Sequence, residues 1–113
     1  NFIFNSIQCM DVTFFDETIE TFLTKLEKPT IAKVLRTIDL LELFGNRLGM
    51  PHSKSVGRNL FELRIRGQQE VRLVYVFRGN KAIVLHGFVK KSQKIPQKEL
   101  IVAQQKLSAF DII

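Results

Sequence analysis

The sequence predicts an α+β fold in which an N-terminal helical hairpin packs on a small antiparallel β-sheet, with a helix at the C-terminus. Three observations predict it. Apolar residues recur at helical spacing between Asp16 and Gly45, the period changes to two from Leu60 to Val89, and helical spacing returns after Pro96. With 113 residues, 45% of them hydrophobic, the chain reads as one domain spanning 1–113. Ten phenylalanines give a core its bulk and argue against disorder.

The segment Met10-Asp11-Val12-Thr13-Phe14 alternates as a half-buried strand does, and Asp16 then offers an N-cap for a helix with Ile19, Phe22, Leu23 and Leu26 on one face. Lys28-Pro29 should stop that helix. Thr30 can cap a second one, striped by Ile31, Val34, Leu35, Ile38 and Leu41 with Leu40 or Phe44, and Gly45 ends it. Asp16, Glu17, Glu20, Glu27, Asp39 and Glu42 then form a solvated outer face. Residues 45–59 have loop composition, with three glycines, Pro51, Ser53 and Ser55, and His52, Lys54 and Arg58 ride on them.

From Leu60 onward, three strands follow in a meander, separated by Gly67-Gln68-Gln69 and Gly79-Asn80. Residues opposite each other in an antiparallel pair share a face. A two-residue turn at Gly79-Asn80 sets Val74 against Leu85 and Arg72 against Gly87. A three-residue loop at Gly67 sets Arg64 against Arg72 and Arg66 against Glu70. Arg64, Arg72 and Lys91 therefore converge on one face. The other face collects Phe61, Leu63, Ile65, Leu73, Tyr75, His86 and Phe88 for burial against the hairpin. The first face also bears Val74, Val76, Ile83 and Leu85, which either the C-terminal helix or a partner must cover.

Two arginines directly opposite are unfavourable by about 0.2–1 kcal/mol unless something anionic sits between them. Either they pair with Glu62 and Glu70, or they form an anion site. The charge is lopsided in the same direction: residues 1–45 hold 4 basic and 7 acidic groups, residues 46–113 hold 13 and 4. A pI near 9.8 with that asymmetry points to a polyanionic partner, most simply nucleic acid.

Several chemistries are excluded. The six glycines are scattered and none forms a phosphate-binding loop. Cys9, His52 and His86 lack metal-ligand spacing, so no metal or other cofactor is expected, and His86 reads as a hydrogen-bonded core residue. Lone Cys9 makes no internal disulfide and reads as a small buried residue in a reducing, cytoplasmic protein. No apolar run is long enough to span a bilayer, so no membrane association is expected.

The ordered set LFELRI (60–65), RLVY (72–75), LHGFVKK (85–91) and Pro96 with Glu99-Leu100 and Ala103, preceded by Leu48-Gly49-Met50-Pro51-His52-Ser53-Lys54, resembles the phage-derived HigB-type branch of the RelE/ParE toxin superfamily. The likeness runs from about residue 40 to about residue 106. It implies a RelE-like fold and a toxin that cuts mRNA on the ribosome, inhibits translation and is held inactive by a cognate antitoxin protein. It also implies site residues: Arg64 closes the ELR motif, Lys90 and Lys91 end the last strand, Lys54 holds a basic position ahead of the sheet, and Arg72 opens the RLVY strand.

Arg64, Lys91, Lys90 and Lys54 are therefore the catalytic candidates, and Arg72, Arg66, Arg58, His52 and Lys94 the substrate-binding ones. Arginine holds its proton too tightly to act as a base. Lys91 crowded by two arginines is disfavoured in its protonated form, which suits Lys91 or Lys54 to proton transfer, with His52 as competitor. Tyr75, the single tyrosine, is expected in the core. Two other activities stay open: ParE-like inhibition of DNA gyrase without RNA cleavage, and plain RNA binding.

Overall fold

The computed structural model describes residues 10–94 and 96–112; Cys9 lies outside them. Strand β1 (Asp11–Phe14) is followed by helices α1 (Glu17–Thr24) and α2 (Lys28–Phe44) and a short 3-10 turn. Then come β2 (Ser53–Gly57), β3 (Leu60–Ile65), β4 (Val71–Arg78), β5 (Lys81–Val89) and α3 (Gln97–Ile112). The sheet order is β1-β5-β4-β3-β2, with β1 parallel to β5 and every other pair antiparallel.

This corrects the expected architecture. The fold is α+β, but it does not begin with a helical hairpin and its sheet is not purely antiparallel: β1 precedes the helices and makes a five-stranded mixed sheet. A parallel pairing closed through two helices leaves no turn motif in the sequence, so the partner of β1 was not readable. Strand β2 was hidden for another reason: it is an edge strand of Ser, Lys, Val and Gly, close to loop composition. Its hairpin to β3 turns through Arg58 and Asn59, both at positive φ (55° and 65°), the pattern of a type I′ turn.

Asp16 caps α1, accepting from the Thr18 amide at 3.1 Å. Pro29 does not end a helix as expected; it sits in the first turn of α2, where a missing N–H costs nothing. Thr30 is accordingly buried inside that turn and caps nothing. Gly45 ends α2 as predicted, at φ 58°. Of the expected stripe, Val34, Ile38 and Leu41 are buried, whereas Leu35 and Phe44 are exposed.

Two apolar layers flank the sheet. On one face Leu63, Ile65, Val71, Leu73, Tyr75 and Val84 pack against Ile19, Leu26, Val34, Ile38 and Leu41 of the helices and the segment joining them. On the other, Leu60, Val74, Val76, Ile83, Leu85 and Phe88 pack under α3 through Ala103, Leu100, Leu107 and Phe110. The C-terminal helix, not a partner, thus covers Val74, Val76, Ile83 and Leu85.

A bulge in β5 corrects the predicted faces. Tyr75 pairs with Val84 and Val74 with His86, so Leu85 is the extra residue. Below it the register slips by one, setting Arg72 opposite Phe88 instead of Gly87. Phe88 therefore joins the α3 layer, and His86 stacks on it at 6.0 Å and contacts Glu99 of α3, so neither faces the helical pair as expected.

Gly87 turns instead toward α1, where a Cβ would lie 2.8 Å from Leu73 Cδ2 and 2.9 Å from the Phe22 ring. Gly87→Ala is expected to destabilise the protein by about 1–3 kcal/mol through overpacking. An unchanged denaturation midpoint would show that Phe22 simply moves aside.

Candidate functional site

A cleft of about 820 Å3 opens where β3 and β5 end and β4 begins, beside the start of α3. Lys54 of β2, Arg64 of β3, Arg72 of β4, Arg66 from the β3–β4 loop, and Lys90, Lys91 and Lys94 after β5 all line it. Seven of the nine candidates come together. Arg58 does not join them, for it sits at the β2–β3 turn and donates to Gln104 of α3 at 3.2 Å. His52 lies outside the cleft too, in a second cleft between α2 and β3.

The register explains the convergence. Lys54 is opposite Glu62, and Arg64 is opposite Arg72, as the three-residue loop predicted. Lys90 follows β5, its amide donating to the Glu70 carbonyl at 2.7 Å, which keeps the basic pair beside the β3–β4 loop.

Glu62 answers the question of the opposed arginines. The residue is 2% exposed, and its carboxylate lies 3.5 Å from Arg72 Nε and 3.9 Å from Arg64 Nε. These are charge contacts: Glu62 Oε1, Arg64 Nε and Arg72 Nε are buried and make no hydrogen bond within the described chain. Arg72 is also bound to the Glu70 carboxylate at 3.3 Å and to the Val71 carbonyl at 3.0 Å, so its guanidinium is fixed. Arg64 is freer, with one further contact, to the Met50 sulfur at 3.3 Å.

The Gly67 amide, donating at 3.0 Å, and the Arg72 guanidinium hold the Glu70 carboxyl below the usual glutamate range. The stability this provides is complete above the ordinary glutamate value and is lost as pH falls through the lowered one.

Helix α3 forms a wall of the cleft through Gln97 and Leu100. It is fastened to the body by His86 Nε2 to Glu99 (2.6 Å), Lys106 to Asp16 (3.2 Å) and Arg78 to Asp111 (2.7 Å). Tyr75 is buried as expected, its hydroxyl 2.6 Å from Ser53 Oγ. Among the described residues no group of three His, Cys, Asp or Glu could hold a metal ion, and no helix is long and apolar enough to cross a membrane.

Beside the cations lie the carboxylates of Glu62 and Glu70, which pair with the arginines as one of the two expected alternatives had it, and the amides of Gln93 and Gln97, which no pattern in the sequence marks. The alternation of Phe61-Glu62-Leu63-Arg64-Ile65 sets Glu62 and Arg64 on one face.

No curated protein matches the chain. The family model described as "Phage derived protein Gp49-like" (DUF891) matches residues 21–108, a stretch that holds both clefts and every candidate residue. The chain belongs to this Gp49-like family, which is associated with the toxins of toxin–antitoxin pairs and so implies an antitoxin partner.

Proposed function

We propose that the protein is a HigB-like toxin that cuts messenger RNA during translation. The observation supporting this reading is the cleft itself: seven cations against two carboxylates, both engaged by Arg72. RNA cleavage without a bound cofactor requires a ribose 2′-hydroxyl in line with the adjacent phosphate, plus cations for the charge that grows on the phosphoryl oxygens.

Arg64 forks onto those oxygens, and Arg72 acts from its fixed place as a standing positive charge. Lys91 or Lys54 takes the proton from the 2′-hydroxyl as that oxygen bonds to phosphorus. The bond from phosphorus to the 5′-oxygen breaks, and the leaving 5′-oxygen takes a proton from a second lysine of the cleft. The products are a 2′,3′-cyclic phosphate and a 5′-hydroxyl. Arg66 and Lys94 hold flanking phosphates at the mouth. An antitoxin with an acidic segment would silence this site by neutralising or covering the cations.

Cell-free translation with the protein added, followed by mapping of mRNA ends, tests the reading. New ends inside translated codons are the expected result. Intact mRNA with DNA gyrase inhibited, or RNA bound without being cut, would overturn it.

A further inference from the structure

On the far side of Arg64 and Arg66 lies a second cleft of about 470 Å3, between α2 and β3. The two clefts share both arginines, so they form one path across the end of β3. Lys33 and Arg36 of α2 extend the cationic rim, and Leu40, Pro51 and Ile65 supply apolar surface. The rim is tied in place, since Lys33 Nζ donates to the Arg66 carbonyl at 3.2 Å. Asp39 is the one carboxylate lining this cleft among the described residues.

We infer that this second cleft binds the nucleotide flanking the pair of nucleotides joined by the cut phosphate, on the same single strand of RNA. The inference rests on the cleavage reading above. An apolar surface under a cationic rim suits the flat face of a base beside its phosphate, the cations tracking the backbone as they do in single-strand binders. The volume falls in the range of small-ligand sites, about 300–1,000 Å3. The strand enters the first cleft with its reacting phosphate at Arg64, passes Arg66, and lays the neighbouring base against Leu40 and Pro51, with its phosphate toward Arg36 and Lys33.

Fluorescence anisotropy with single-stranded RNA made uncuttable by a 2′-deoxyribose at the reacting nucleotide tests this. A dinucleotide fills the first cleft alone, and a tetranucleotide reaches the second. Arg36→Glu, on an exposed helix position, is expected to weaken tetranucleotide binding about tenfold and leave the dinucleotide unchanged. The log-affinity against log-salt slope should become shallower by about 0.7 for each phosphate that the variant no longer neutralises. Asp39→Asn, which removes a repelling charge, is expected to tighten tetranucleotide binding, a change that misfolding cannot mimic.

Equal effects on both lengths, or none on either, would overturn the second subsite while leaving the cleavage reading in place. Arg36→Glu weakening binding only to ribosomes or to an acidic antitoxin segment would also overturn it, assigning the cleft to those partners. Failure of the unmodified protein to bind either RNA would overturn the second subsite, while the mapping of mRNA ends in cell-free translation decides the cleavage reading separately.

Discussion

Arg64→Ala and Lys91→Ala are each expected to lower the rate of RNA cleavage by about 10²–10³-fold while the protein stays folded. The size follows from the loss of one preorganised charge at the transition state, about 2.7–4 kcal/mol. Lys91 is exposed at the cleft mouth, so its removal breaks no packing. Arg64 is 14% exposed in its side chain, and Glu62 keeps the closer Arg72 when Arg64 is cut back. Both variants should therefore melt within a few degrees of the parent. A variant that cuts RNA at the parental rate would remove that residue from the site. Loss of folding instead would mean that the cleft cations are structural.

Arg72→Ala is expected to do the opposite, destabilising the protein by about 3–5 kcal/mol before any question of activity arises. Arg72 and Glu62 are each 2% exposed and 3.5 Å apart. Removing the guanidinium leaves a buried carboxylate with only Arg64, at 3.9 Å, for compensation. Removing the carboxylate's charge in the same chain, Glu62→Gln with Arg72→Ala, should recover a large part of that loss, because the uncompensated charge is gone. Denaturant unfolding of the single and double variants measures the coupling. Additive losses would mean that Glu62 and Arg72 do not stabilise one another, and that Glu70 alone holds the arginine in place.

The contrast between these variants explains what the sequence could and could not disclose. Hairpin loop length fixes register, so the opposition of Arg64 and Arg72 was readable from Gly67-Gln68-Gln69. A bulge has no such signature. The extra residue at Leu85 turned His86 and Phe88 under α3 and sent Gly87 toward α1, where the strict alternation of a regular strand placed them the other way.

Basic residues advertise a site by their number, but which of them share a cleft depends on long-range pairing. Lys54 reaches it because β2 pairs with β3 opposite Glu62. Arg58, four residues on, is carried to the β2–β3 turn and held by Gln104. His52, two residues before Lys54, sits in the turn ahead of β2, its amide donating to the Gly49 carbonyl at 3.0 Å. Strand alternation does not govern it there, and it opens into the second cleft. Parallel pairing of β1 with β5 is the most distant of these relations and the least visible, since two helices intervene between β1 and the rest of the sheet.

In the proposed reaction the cationic cleft drives attack of a ribose 2′-hydroxyl on its own 3′-phosphate. A message carrying one 2′-deoxynucleotide at a mapped cut position, translated in a cell-free system with the protein present, tests that step directly. Cleavage is expected to disappear at that position and to continue at the unmodified positions of the same message. Cleavage persisting at the deoxynucleotide would rule the step out, because no 2′-hydroxyl is there to attack.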